Sequence, residues 1–366
     1  MFGTFVTLMR GGGEQYALCL SRELVRLGHS VTLICGRSFL RRPLSIPDSH
    51  LFGIRIRPYL FEIREMSRFG PRLLGRVLYG LSRRFHQWAI RNDFSEWDVI
   101  HVGTVETAQA AIRRRQPRQP IVLTLHGPVP PVDRELLASL DAVVPTGHRV
   151  AEQVSRELGV SCIVIPAGLD LPKFSPMDRT EARRRLGWSE APQILFVGRL
   201  IPIKNLEVLL KGFCALLRAL PEARLTLVGA GVLRGRLEAL ADRLGIHHRV
   251  WFEGALSQDM LPWYYNAADL FILPSHYESF GQVALEAFAC ECPVIVSDGV
   301  TEIVTRFPET RVFPKDDPQA LAEVMIRTLE KRPPPVPREQ LRPFDWPEIG
   351  RQYINLYSEL IRKRAA

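Results

Sequence analysis

The chain has 366 residues, with 48 Lys and Arg against 39 Asp and Glu and a formal net charge of +9 at pH 7. At ~100–200 residues per domain, this length predicts two or three domains, each with a real core. Hydrophobic content of 46% and charged content of 24% exclude a disordered, collagen-like or multi-span membrane chain.

The opening Met1–Met9 lacks a basic n-region and a small-residue cleavage site, and reads as a buried strand. A cytoplasmic protein is the expectation. Six cysteines (Cys19, Cys35, Cys162, Cys214, Cys290 and Cys292) are too sparse for a disulfide scaffold and sit mostly in apolar runs, as reduced core thiols do. Only six of the 48 basic residues are lysines. So arginine-rich a surface points to an anionic partner: nucleic acid, anionic lipid or a phosphate-bearing substrate.

In chain order, the first half predicts strands at Thr4–Met9, Ser30–Cys35, Val99–Val102, Ile121–Leu125, Ala142–Val144 and Cys162–Ile165. Between the first two, Tyr16, Leu20 and Leu24 recur every four residues and Gly28 supplies a stop, which makes a βαβ unit and hence a parallel sheet. The second half repeats the theme. Apolar runs at Gln193–Val197, Arg224–Val228, Val250–Phe252, Leu270–Leu273 and Val294–Val296 alternate with helical stretches at Leu206–Leu220, Val232–Leu244 and Gln282–Cys290. The prolines of 332–337 predict an extended connector, and Trp346–Arg362 a terminal helix with Ile349, Tyr353, Tyr357 and Leu360 on one face.

The fold expected is therefore α/β, with two facing Rossmann-like doubly wound parallel sheets and a ligand cleft at the carboxyl ends of their strands. The boundaries fall at 1–171, 172–344 and 345–366, the last being a helix that packs back on the first domain.

Three loops could do chemistry. Arg10-Gly11-Gly12-Gly13-Glu14 follows the first strand and opens a helix, where backbone N–H groups and the helix dipole suit an anion. Gly198-Arg199-Leu200-Ile201-Pro202-Ile203-Lys204-Asn205 sets two cations five residues apart at another strand end, suiting a diphosphate. In Pro274–Ala287, Glu278 leaves a strand end and the N–H groups of Ser279, Phe280 and Gly281 precede a helix. Glu286 follows about a turn and a half into that helix, in buried-looking surroundings that call for a hydrogen-bond donor. The stretch Gly229-Ala230-Gly231-Val232-Leu233-Arg234-Gly235 has its third glycine one place late for a dinucleotide fingerprint, which argues against a dehydrogenase.

These motifs, in this order, resemble the retaining GT-B glycosyltransferases of family four (group 1). So do Gly12-Gly13-Glu14, Arg22-Glu23-Leu24 with Gly28-His29, and Ile165-Pro166-Ala167-Gly168-Leu169-Asp170 with Phe174-Ser175-Pro176. The resemblance covers nearly the whole chain. It implies that Arg199 and Lys204 hold a donor diphosphate, with Gly198 and Asn205 in the same loop. Glu278 would bind hydroxyls of the transferred sugar beside Ser279, Phe280 and Gly281, and Glu286 would take the nucleotide ribose. Gly12 and Gly13 would line the first-domain wall, and His126, at the end of a strand, matches a sugar-contacting histidine. The sequence departs from the family in Ser297-Asp298-Gly299, where one glycine stands in place of a pair, and in Thr146, where serine is usual.

The implied activity is transfer of a sugar from a UDP- or GDP-linked donor to a hydroxyl acceptor, lipid-linked or a growing cell-surface glycan. No cofactor is expected, and no metal, because cations and helix amides would hold the diphosphate and no D-x-D triplet occurs. Competing readings are a non-catalytic sugar-nucleotide-binding module and a nucleotide-sugar epimerase of the same architecture; nucleic acid is not expected as a partner. Residues 64–91 hold seven arginines against one acidic residue, with a broken apolar stripe. They suggest peripheral contact with an anionic membrane.

Overall fold

The computed structural model describes residues 2–6, 12–37, 54–60, 97–113, 115–127 and 134–366. The basic segment 64–91 lies outside them. The chain divides into two compact units, Met1–Gly168 with Trp346–Ala366, and Leu169–Asp345.

The first unit contains β1 (Phe2–Val6), α1 (Gly12–Arg26), β2 (Val31–Arg37), β3 (Ile54–Leu60), β4 (Val99–Val102), α2 (Val105–Ile112), β5 (Ile121–Leu125), α3 (Arg134–Ala138), β6 (Ala142–Pro145) and α4 (His148–Leu158). The second runs through α5 (Arg179–Leu186), β7 (Gln193–Val197), α6 (Leu206–Leu216), β8 (Arg224–Val228), α7 (Arg234–Arg243), β9 (Val250–Gly254), α8 (Leu261–Ala267) and β10 (Leu270–Leu273). It continues with α9 (Gln282–Ala289), β11 (Val294–Ser297), α10 (Thr301–Arg306), β12 (Arg311–Phe313), α11 (Pro318–Glu330) and α12 (Arg338–Leu341). Helix α13 (Trp346–Ala365) returns to the first unit.

The described strands form two six-stranded parallel sheets, ordered β3-β2-β1-β4-β5-β6 and β12-β11-β10-β7-β8-β9. Counted from its own first strand, each sheet has the same order, with the reversal between β1 and β4 in one and between β7 and β10 in the other. Ligands of open parallel sheets sit beyond the strand ends at such reversals. Strands β4, β5, β7 and β10 are buried along their whole length, which explains why they read as continuous apolar runs.

Two strand expectations are corrected. β1 takes in Gly3, which pairs with Thr32 on one side and Ile100 on the other; pairing on both flanks outweighs glycine's poor strand propensity. Cys162–Ile165 is extended but is not a strand. Ile163 N–H donates to the Val143 carbonyl and Ile165 N–H to that of Pro145, and no regular ladder develops before Pro166. Proline offers no N–H to continue one.

Helix α1 buries Tyr16, Leu20 and Leu24 and ends at Gly28, whose φ of +89° is costly for other residues. These side chains join Ile349, Tyr353, Leu356, Tyr357 and Leu360 of α13 in one core with Val99, Val122 and Val144 of the sheet. Burial of each such side chain contributes on the order of ~1.5–3 kcal/mol. The two helices approach closely at Gly350, where a Cβ would come within 2.5 Å of Glu23 Cγ.

Inside this core runs a sealed chain of polar groups. Tyr16 OH donates to Tyr353 OH (2.8 Å), which bonds Thr124 Oγ1 (2.9 Å). Thr124 Oγ1 meets His101 Nε2 at 2.6 Å, and His101 Nδ1 meets Tyr357 OH at 2.5 Å. Burial pushes the His101 imidazole down to about 3, with a smaller contribution from His126.

Candidate functional site

In the second unit, the strands on either side of the reversal, β7 and β10, carry the two charged loops. β7 ends at Val197 and the chain turns through Gly198–Ile201 into a 3-10 turn, Pro202–Lys204. Asn205 then adopts a left-handed conformation (φ 52°) before α6. The loop after β8 lies directly behind. Gly198 N–H donates to Val228 O and Leu200 N–H to Ala230 O. A Cβ on Gly229 would overlap the Gly198 carbonyl oxygen, and one on Gly231 that of Leu200. The glycines that imitate a dinucleotide motif therefore serve to let one loop support another.

The loop after β10 is tied to this turn by His276 N–H, which donates to the Ile203 carbonyl at 2.9 Å. The contact brings Lys204 and Glu278 together: Nζ lies 2.5 Å from Oε1, both side chains 14% exposed. Ser275 Oγ donates to the same Oε1 at 2.6 Å. Glu278 Oε2 takes no hydrogen bond among the described residues. Arg199 is exposed and has no ion-pair partner among the described residues, leaving its guanidinium available to an anion.

Past Glu278, Gly281 caps α9 with φ +98°, and a Cβ there would reach within 2.9 Å of Ile303 Cγ1. Phe280 is buried against Phe344, with ring centroids 5.4 Å apart, so only its backbone can face a ligand. Gly299 closes the arrangement. Its neighbour Ser297 donates from Oγ to the Ser275 carbonyl (2.5 Å), and a Cβ on Gly299 would overlap the His276 carbonyl oxygen. The shortened loop thus keeps its one glycine where the backbones touch.

Asn205 uses its side-chain amide on the Lys315 carbonyl (2.5 Å), a tie to the segment after β12. Glu286 is 3% exposed, and its hydrogen-bond donor is an uncharged one: Tyr265 OH, 2.9 Å from Oε2. Burial pushes this carboxyl up to about 7, against smaller opposing effects from Tyr265 and Lys173.

In the first unit, Gly12 and Gly13 are the first two residues of α1, so their N–H groups are among those a helix leaves unbonded. His126 follows the end of β5, half-buried, with its ring edge-on to Tyr16 (centroids 4.6 Å apart). Burial lowers its imidazole to about 4, so it is neutral near pH 7.

The structure thus joins Lys204 to Glu278 directly and sets Gly198, Arg199 and Gly281 on the same two loops. Sequence reasoning missed the importance of Ser275, Tyr265, Tyr16 and the glycines after β8. Ser275, three residues before Glu278, had a local signal; Tyr265, 21 residues before Glu286, had none. Among the described residues, no helix is long and apolar enough to cross a membrane.

Comparison with known proteins bears on the fold and the family. D-inositol 3-phosphate glycosyltransferase of Xylanimonas cellulosilytica is 29% identical over 97% of this chain and 93% of its own length. The enzyme of the same name from Geodermatophilus obscurus is 36% identical over 66% of this chain and 56% of its own. Among solved structures, sucrose-phosphate synthase from Thermosynechococcus elongatus superposes with a TM-score of 0.77 at 23% identity, covering 99% of this chain and all of its own. Anabaena HepE in complex with UDP-glucose gives 0.73 at 18% identity, covering 98% and 99%. These two likenesses establish the fold as GT-B. The family model Glycosyltransferase Family 4 matches residues 10–173, and Glycosyl transferases group 1 matches 178–342. With both halves of the chain so matched and the loops after β7 and β10 assembled as described, the protein belongs to the group 1 glycosyltransferases of the GT-B fold.

Proposed function

We propose that this glycosyltransferase moves a sugar, with retention of configuration, from a UDP- or GDP-linked donor to a hydroxyl group. The observation that carries the reading is the Lys204–Glu278–Ser275 cluster beside the exposed Arg199 at the sheet reversal. A leaving diphosphate gains negative charge as the C1–O bond to it breaks. Arg199, Lys204 and the N-terminal amides of α9 are the groups suited to stabilise that charge. Glu278, with Oε1 held by two donors, has Oε2 available to accept from sugar hydroxyls and orient the ring. The acceptor oxygen attacks C1 from the face the diphosphate leaves, and its proton passes to a diphosphate oxygen. In this reading Glu278 is not the nucleophile. His126, neutral near pH 7, offers a hydrogen bond to the transferred sugar, and Glu286 takes the ribose.

The net charge of +9 suits an anionic acceptor. Relatives named for D-inositol 3-phosphate support a phosphorylated polyol; a lipid-linked acceptor with an anionic phosphate or a growing glycan are the other candidates. Residues 64–91 would supply contact with an anionic leaflet at the cytoplasmic face. The test is release of nucleoside diphosphate from UDP- and GDP-sugars with and without candidate acceptors. Release that rises with acceptor supports transfer. Binding without release would make the protein a sugar-nucleotide-binding module, and donor epimerisation without acceptor would make it an epimerase.

A further inference from the structure

Glu286 is a carboxylate where packing alone would favour an uncharged side chain. Ala284, Leu285, Ala287, Phe288 and Ala289 around it on α9 are all buried. A buried carboxylate with one uncharged donor is costly, and the cost is not met by a cation in contact. Lys173, whose charge reaches Glu286, is itself paired with Asp259 at 2.5 Å. Tyr265, on α8, is fully buried, and its ring is held edge-on by Phe174 (6.0 Å) and Phe271 (5.5 Å). Its hydroxyl has Glu286 as its hydrogen-bond partner, and Oε1 of Glu286 takes no hydrogen bond among the described residues. The arrangement holds one oxygen of the carboxylate and leaves the other open.

We propose that Tyr265 is a positioning residue for nucleoside recognition. By holding Glu286 Oε2 it aims Oε1 at the donor ribose and favours the ionised form that accepts two ribose hydroxyls. This rests on the donor-site reading above. The groups that face Glu286 and can alter its charge are Tyr265 from α8, Lys173 from the segment before α5, and Cys290 at the end of α9. Burial keeps the Cys290 thiol protonated, so it adds no charge near neutral pH. Tyr265 and Lys173 both favour ionisation, and burial opposes it. Removing the tyrosine hydroxyl therefore moves ionisation to higher pH.

The test is calorimetric binding of UDP-glucose, with GDP-mannose in parallel, to the full chain from pH 5.5 to 9. The diphosphate diester of these probes does not titrate in that range. Wild type should lose affinity below about pH 7, by up to about tenfold per pH unit, and Glu286→Gln should be weak and flat. Tyr265→Phe should bind about tenfold more weakly at pH 7 and recover towards wild type at pH 9, with kcat at saturating donor little changed. 3-Fluorotyrosine at position 265, a stronger donor of nearly the same shape, should shift the profile the other way and covers the case in which the phenylalanine variant does not fold. Unchanged affinity and pH profile in both substitutions would overturn the proposal. If binding still depends on Lys204 in that case, the donor site stands and only the role of Tyr265 falls. If wild type binds neither probe, the donor reading fails and this inference with it.

Discussion

The polar chain in the core of the first unit is made of neutral groups, and the loops at the sheet reversal of the second carry partly exposed charged ones, although both sheets have the same strand order. In the first, the buried chain is made of uncharged groups bonded to one another. Tyr16 donates to Tyr353, and the chain continues through Thr124 and both ring nitrogens of His101 to Tyr357. Burial, which lowers the His101 imidazole to about 3, keeps it neutral near pH 7, so no member of this chain carries a charge there. In the second unit, Lys204 and Glu278 pair with one another while Glu278 Oε2 and the Arg199 guanidinium have no partner among the described residues. Polar groups bonded only to each other hold a fold together; polar groups with unused bonding capacity at a strand end are what a substrate can use.

The largest effect that would break this contrast lies in the second unit. Lys204→Ala and Glu278→Gln should each lower turnover about 30- to 1000-fold, the kinetic equivalent of ~2–4 kcal/mol of transition-state stabilisation, with melting curves close to wild type. The measurement is steady-state transfer with saturating donor. Near-normal turnover in either variant would remove the cluster from the mechanism.

The matching change in the first unit should do the opposite. Tyr353→Phe leaves Tyr16 and Thr124 without their shared partner and should cost about 1–3 kcal/mol of stability, read by denaturant unfolding. The catalytic rate at low temperature should survive it. A variant that keeps full stability but loses turnover would show that the chain acts in catalysis and not in the fold.

A pH scan sharpens the comparison because the two units respond with opposite signs. His101 and His126 are lowered to about 3 and about 4 by burial, so between pH 6.5 and about 4 the folded first unit binds fewer protons than the unfolded chain. Its stability therefore falls as pH falls, by at most about 1.4 kcal/mol per pH unit for each histidine. Glu286 is raised to about 7, so between about pH 4.5 and 7 the folded second unit binds more protons, and its stability falls as pH rises. Hydrogen-exchange protection factors for each unit at pH 8, 6 and 4.5 would show this. In addition, Glu286→Gln should raise the stability of the ligand-free protein at pH 8.

The smallest effect is expected from metal removal. With Arg199, Lys204 and the α9 amides assigned to the diphosphate, EDTA should leave transfer within about twofold of the control, well under the effect of losing one preorganised donor. Complete loss restored by Mn²⁺ or Mg²⁺ would contradict that assignment.

Much of the architecture was readable residue by residue. Gln193–Val197, Arg224–Val228 and Leu270–Leu273 have the observed bounds, because a parallel strand covered on both faces is mostly apolar and turn residues flank it. Gly28 ended α1 where its left-handed φ was needed. β12 (Arg311–Phe313) escaped notice because three residues with two exposed members carry no periodic signal. The charged site was partly readable, since Arg199, Lys204 and Glu278 stand at strand ends. Their pairing was not, since it depends on β7 and β10 being neighbours although 72 residues lie between Val197 and Leu270 and β8 and β9 intervene.

The sequence by itself determined the alternation of strands and helices, the glycine turns and the charge types offered at the strand ends. These follow from local sterics and from the period of apolar residues. The tertiary structure decided which groups met: Lys204 with Glu278, Tyr265 with Glu286, and His101 with Tyr357, 256 residues away. A hydrogen bond requires its atoms within about 3 Å, and only strand order and helix packing bring such distant residues that close.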